Sequence, residues 1–173
     1  VPEAATRESL LLAGQVDLIV LPPIADLPAL QRNPAVKVLL APSDRTIFVS
    51  MNTSKPLFGD PRLRQALNYA VDKKAIIQNV LFGAADEMDA PMASSLFGYC
   101  KVGSYEYNPA KAKQLLAEAG YPNGFDVELA SYMLPQWAAA VQNYLHAVGI
   151  RAKLNQLQVA ALVQRAKAGE LRM

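Results

Sequence analysis

The sequence predicts an α/β fold, and three observations carry that expectation. Residues 125–169 read strand, helix, strand, helix, the spacing of parallel β/α units. Two helix starts pair a capping residue with proline, Asp60-Pro61 and Asn108-Pro109, while Gly83, Gly120, Gly149 and Gly169 stand where helices should stop. The composition is 52% hydrophobic and 18% charged over 173 residues, which suits a globular chain with one real core or one and a fraction.

The elements follow in order. A helix over about 3–13 gives way at Gly14 to "VDLIV", a short buried-strand pattern, and then to Pro-rich "LPPIADLP". "VKVLLAP" and "TIFVSMN" are two further strand candidates. In "GDPRLRQALNYAVDKKAII" the carboxylate of Asp60 can accept from the first free amides of a helix that begins at Pro61. Leu63, Ala66, Leu67, Ala70 and Val71 form its apolar stripe. Asp72 caps a second helix carrying Ile76, Ile77, Val80 and Leu81 as far as Gly83. The helix from Asn108-Pro109 buries Ala112, Leu115, Leu116 and Ala119. "FDVEL" alternates as a half-buried strand should. Trp137, Ala140, Val141, Tyr144, Leu145 and Val148 mark the next helix, and "RAKLNQL" the next strand, with Ala152, Leu154 and Gln156 inward. A last helix holds Val159, Leu162, Val163 and Ala166, and the pattern calls for another strand near residue 171. There are no internal repeats and no low-complexity segments.

Composition restricts function. Lys and Arg total 17 against 15 acidic residues, an excess too small to argue for nucleic acid. No run approaches the roughly 20 apolar residues of a membrane span. No charged leader precedes a cleavage site, which fits a cytosolic chain, a processed one or an excerpt. His146 is the only histidine, and no second one completes a dyad or a metal set. Cys100 lacks CxxC spacing and reads as a packed or modestly exposed thiol rather than a nucleophile. "DEMD" (86–89) lacks calcium-loop spacing and reads as a solvated loop. No phosphate loop is present. These readings predict no catalysis, no cofactor and no metal. Arg62 requires an acidic partner or water, and Arg64 suits a bracing role with its guanidinium on a carbonyl or carboxylate.

At "MNTSKPLFGDPRLRQALNYAVDKKAIIQNVLFGAA" followed by "YEYNPAKAKQLLAEAGYPNGFDVEL", the chain resembles the family 5 extracellular solute-binding proteins. These are the dipeptide, oligopeptide and nickel receptors of ABC importers. The upstream "TRESLLLAGQVDLIVLPP" resembles them too, so the similarity spans nearly the whole chain. It implies one lobe of a two-lobed periplasmic-binding-protein fold (type II, peptide-binding-like), with a mixed sheet and flanking helices. On that reading residues 1–45 are a remnant of the first lobe, 46–52 an extended hinge crossing, and 53–173 a second, C-terminal lobe cut at its end. The family's Trp-containing loop, whose aspartate captures a peptide's amino group, is expected just past Met173.

The resemblance also implies a function: the substrate-binding component of an ABC importer, periplasmic or extracellular, capturing a peptide or similar small solute between two lobes. Its partners are the solute and the permease subunits, with no nucleic acid and only indirect contact with the membrane. Ligand-facing positions implied by similarity are Ser50, Met51 and Asn52 on the crossing segment, Ser94, Ser95 and Phe97 in "APMASSLFGYC", and Tyr132, Met133, Gln136 and Trp137 after the strand. Against this stand structural roles for two of them, Trp137 in the core and Asn52 pinning a turn. An alternative keeps the same module inside a cytoplasmic transcription regulator. A small α/β enzyme is disfavoured, because the scattered carboxylates, one histidine and one cysteine assemble no active site.

Overall fold

Three side-chain caps fix the helices that the sequence marks. Asp60 Oδ1 accepts from the Arg62 amide at 2.8 Å, Asp72 Oδ1 from Ala75 at 2.9 Å, and Asn108 Oδ1 from Lys111 at 2.9 Å. Each such cap contributes about 1 kcal/mol. The computed structural model describes residues 1–133 and 135–173. Its elements are α1 (Ala4–Leu12), a 3₁₀ turn (Ile24–Asp26) running into α2 (Leu27–Arg32), α3 (Pro56–Gly59), α4 (Pro61–Ala70) and α5 (Lys73–Asn79). They continue with α6 (Pro109–Glu118), β1 (Phe125–Ser131), α7 (Pro135–Ala147), β2 (Ile150–Gln156) and α8 (Val159–Lys167).

The core is the α/β lobe. Leu63, Ala66, Leu67 and Ala70 of α4 are buried with Ala112, Leu115 and Leu116 of α6. The same cluster takes in Phe125, Val127 and Leu129 of β1, Val141 and Leu145 of α7, and Ile150 and Ala152 of β2. Phe58 of α3 is fully buried and meets Phe125 edge to face at 6.3 Å, while Tyr121 meets the other side of Phe125 at 5.3 Å. Arg64 bends back from α4 to donate to the carbonyls of Phe58 (2.6 Å) and Gly59 (3.0 Å), tying α3 to α4. Arg62 takes the acidic partner it requires, Asp60, and also donates to Glu118 O at the end of α6.

β1 and β2 pair in parallel, Phe125 opposite Ile150 through Ser131 opposite Gln156, with α7 as the crossover. The chain after α8 returns to the free edge of β1, where Ala130 N donates to Met173 O at 3.0 Å. On the far side of that run Asn52 N donates to Arg172 O at 2.9 Å. The spatial order is therefore β2, β1, residues 171–173, then Asn52. The pairing present among the described residues is wholly parallel. α7 packs on the apolar face of the sheet, and α8 reaches the opposite face, where Arg165 holds Glu128.

Several expected elements differ. "VDLIV" is not a strand: the carbonyls of Val20 and Leu21 accept from the Arg7 guanidinium, and Leu21 takes a φ of 53°, which breaks the extended path. "VKVLLAP" and "TIFVSMN" have no ladder, since residues 37–51 donate no backbone–backbone hydrogen bond among the described residues. Residues 48–51 still alternate, Val49 and Met51 packing on the core while Phe48 and Ser50 are exposed. α5 ends at Asn79, ahead of Gly83. Gln156 is exposed rather than inward. The stripe of α8 is uncovered: the helix has no buried residue, and Val159 and Val163 are 54% and 42% exposed. The "DEMD" loop is braced, with Glu87 on Lys73 and Asp89 on Tyr99 and Lys101.

The sheet generates two predictions. Gly124 has a φ of +70°, and a Cβ there would lie 1.8 Å from Gly149 O, whereas Gly83, with a φ of +75°, has open space around it. Gly124→Ala should therefore cost at least about 2 kcal/mol in denaturant unfolding, and Gly83→Ala only about 1. Equal losses would mean that the Gly124–Gly149 approach is unimportant.

The fork of Arg165 and the amide of Asn155 hold the Glu128 carboxyl down to about 2, from an ordinary 4.5. Because the folded value is the lower one, the stabilisation is complete above pH 4.5 and is lost as pH falls toward 2. The stability gap between the wild type and Glu128→Gln should close over that interval. A gap independent of pH would show that the carboxylate charge is not what holds α8.

Candidate functional site

The doubly wound arrangement fixes where a site can form. α7 and α8 lie on opposite faces of the sheet, and α/β sheets of this kind bind ligands beyond the carboxyl ends of their strands, here the end of β1 beside the run 171–173. Ser131 ends β1. Its carbonyl accepts from Leu157 N at 2.7 Å and its Oγ donates to Met133 O at 3.1 Å. That bond turns the chain toward Pro135, the first residue of α7. Tyr132 is 47% exposed, Gln136 is exposed, and Met133 and Trp137 are half-buried. Trp137 packs against the core, as the structural reading of the sequence has it.

Asn52 also has a structural role. Its Nδ2 donates to Leu171 O at 3.2 Å, and its Oδ1 accepts from Ser54 N at 3.1 Å and Ser54 Oγ at 2.6 Å. These bonds close a turn and tie the segment carrying Ser50 and Met51 to the run 171–173. The structure thus gathers Ser50, Met51 and Asn52 on one side of that run and places the end of β1, which leads into Tyr132 and Met133, on the other. Ser94, Ser95 and Phe97 stand apart. Their loop is pinned by Asp89, whose carbonyl accepts from Val102 N and Gly103 N, both at 3.0 Å. Ser95 Oγ donates to Ser43 O at 3.4 Å, and the Phe97 side chain is fully exposed. No hydrogen bond among the described residues links this loop to the β1 end.

The chemistry at the β1 end is neutral. Residues 129–145 contain no Asp, Glu, Lys or Arg. The phenol of Tyr132 and the amide of Gln136 offer donors and acceptors, and Met133 and Trp137 offer apolar surface. Charge is concentrated on the back of the sheet instead, where Asp126, Glu128, Arg151, Lys153, Glu170 and Arg172 line a shallow depression of about 370 Å³. Hydrogen bonding to Arg151 holds the Asp126 carboxyl below its usual range. His146 and Gln142 both reach Ala152 O, at 3.0 and 2.7 Å, so the only histidine serves the α7–β2 joint. No group of three metal-ligating side chains exists among the described residues, and no helix described is long and apolar enough to cross a membrane.

Sequence reasoning missed Ser131; it called for a strand near residue 171, and the run 171–173 lies along the edge of β1, bonded to Ala130 and Asn52 without forming a full ladder. Ser131 is buried at the last inward position of β1, and the strand's period of two extends to it. The role of Arg165 had a weaker signal: a basic residue in the last turn of α8, with Glu128 at an outward strand position.

Known proteins share both sequence and fold. Heme-binding protein A of Haemophilus influenzae is 37% identical over 99% of this chain and 33% of its own length. The periplasmic binding protein DppA of Helicobacter pylori, solved with the peptide STSA, superposes with a TM-score of 0.82 at 28% identity, over 99% of this chain and 34% of its own. NikA of Brucella suis, solved with Fe(III)-EDTA, gives 0.86 at 25% identity, over 100% and 39%. The chain thus spans about a third of the length of the relatives it matches, and heme-binding protein A and DppA are named for binding. The family model for bacterial extracellular solute-binding proteins, family 5 (middle part) matches residues 1–173, and the chain belongs to that family.

Proposed function

We propose that this chain is part of the substrate-binding component of an ABC importer, which captures a peptide or similar small solute outside the cytoplasm and delivers it to a membrane permease. The match of a solute-binding family to every residue of the chain carries this reading. Residues 53–173 are the greater part of one lobe, 46–52 the crossing, and 1–45 a strip of the other lobe. That division accounts for Leu18, Val20, Leu39, Leu40 and Phe48, apolar side chains that are exposed here and would be covered by the remainder of a two-lobed receptor.

The solute class rests on the neutral β1 end. A peptide presents amides and side chains of mixed polarity, which Tyr132 and Gln136 can hydrogen-bond and Met133 and Trp137 can pack against. Ser50, exposed on the crossing, faces the solute, while Met51 packs on the core behind it and Ser94, Ser95 and Phe97 lie on a separate loop fastened to residue 43. A highly charged solute would have to draw its counter-charge from other parts of the receptor.

Mass spectrometry of solute co-purified with the full-length receptor tests the assignment. A bound peptide is the expected result; a receptor that carries only haem or a metal chelate would overturn the solute class. Residues 1–173 alone should bind di- and tripeptides more weakly than about 1 μM, roughly −8 kcal/mol. An open half-cleft leaves each hydrogen bond in competition with water. Submicromolar affinity in calorimetry would mean that this lobe holds a complete site. Arg64 supplies the contrast. Because it braces α3 against α4 away from the β1 end, Arg64→Ala should lower the receptor's melting temperature and leave its solute affinity nearly unchanged.

A further inference from the structure

α8 is a crossover helix with little apolar burial. It has no buried residue, and two of its stripe residues, Val159 and Val163, are largely exposed. Its apolar contact among the described residues is limited to half-buried Ala161 and Leu162, so polar contacts share in setting its place. Arg165 is the side chain that supplies them. Its Nη1 and Nη2 donate to the two carboxylate oxygens of Glu128, each at 2.8 Å, and its Nε donates to Glu170 at 3.3 Å. Asn155 Nδ2 completes the cluster on Glu128 at 2.6 Å. Among the described residues, Arg165 is the one basic side chain that bridges carboxylates on two separate segments.

Glu170, the second of these carboxylates, opens a run whose next carbonyls are used in turn: Leu171 O by the Asn52 side chain, Arg172 O by the Asn52 amide, and Met173 O by Ala130 N. A planar fork fixes direction as well as distance, which a single ammonium does not. The side chains of Arg165 and Glu128 are 29% and 32% exposed, so the pair is less screened than one lying wholly in water.

We propose that Arg165 is a positioning residue, clamping the run 170–173 to the edge of β1 and thereby fixing Asn52 and the segment it carries. The clamp acts through backbone register: β1 holds Glu128, Glu128 holds Arg165, and Arg165 holds the residue from which the Asn52 acceptors are hung. Its bearing on solute binding rests on the receptor function proposed for the chain. Its bearing on the fold does not.

Hydrogen–deuterium exchange on the full-length protein, without solute, is the test. Arg165→Met keeps the aliphatic stem and removes the fork. The Asn52 and Ala130 amides should then exchange about tenfold faster or more, while amides inside α4 and α6 keep their protection. Arg165→Lys should fall between, because it keeps the charge and loses the bidentate geometry. Where Arg165→Met fails to fold, Glu170→Gln gives the readout. It leaves the Glu128 fork intact, so Asn52 should exchange faster while the β1–β2 ladder is unchanged. Unaltered protection at Asn52 in these variants, or equal acceleration throughout the core, would overturn the proposal. If the exchange result holds and solute affinity does not change in Arg165→Met, the clamp stands and its link to the receptor function fails.

Discussion

The lobe depends on one close approach, that of Gly124 to Gly149. The two glycines precede β1 and β2, and a Cβ on the first would overlap the carbonyl of the second. Because Gly124 lacks a side chain and both glycines adopt positive φ, the two strands can enter the sheet side by side. The register that places Phe125 opposite Ile150 begins there. A one-residue slip would turn Val127 and Leu129 out of the core and Asp126 and Glu128 into it. The cost of burying two unpaired carboxylates would exceed anything the loops could return. The inward row, the outward charged row and the position of Ser131 at the end of β1 are all consequences of that start.

The helices were legible because their signals are local. Asp60, Asp72 and Asn108 cap what they are expected to cap, and the stripes of α4 and α6 are buried nearly residue for residue. Such signals need only the neighbouring turn to be read correctly. The strand patterns of the first third are a different case. "VDLIV", "VKVLLAP" and "TIFVSMN" have the composition of strands, but a strand exists only when another segment supplies its hydrogen bonds. Here Arg7 takes the carbonyls of Val20 and Leu21, and the other two segments find no ladder partner among the described residues. The same reason explains α8, whose periodicity is that of a packed helix although it is held by charge. Periodicity states which face is apolar; it does not state what will cover that face.

The site was legible in part. "FDVELAS" and the glycine stops are enough to place Tyr132 and Met133 beyond a strand end, where α/β sheets bind ligands. No local pattern could show that Asn52 would be bonded to Leu171 and Arg172, more than a hundred residues along the chain. A turn pinned by Asn52 is expected from its residue type and is present with Ser54, whereas the tether is not expected. The loop of Ser94, Ser95 and Phe97 marks the opposite limit, since the resemblance names these residues and the structure fastens their loop to residue 43 rather than to the β1 end.

The back of the sheet and the carboxyl end of β1 differ in charge. The back of the sheet carries ion pairs, Arg151 with Asp126 and Arg165 with Glu128, whose bidentate geometry resists displacement. Exposed pairs of this kind add little net stability, but they fix angles and registers that apolar contacts leave loose. The carboxyl end of β1 is free of charge. Under the proposed receptor function a site there would gain from this: neutral hydrogen bonds are moderate in strength and become strong only when enclosure removes water. On the proposed function, a lobe with a stiff charged back and a neutral rim would hold its shape while closure switched its affinity, with Glu128 pointing one way from β1 and Ser131 the other.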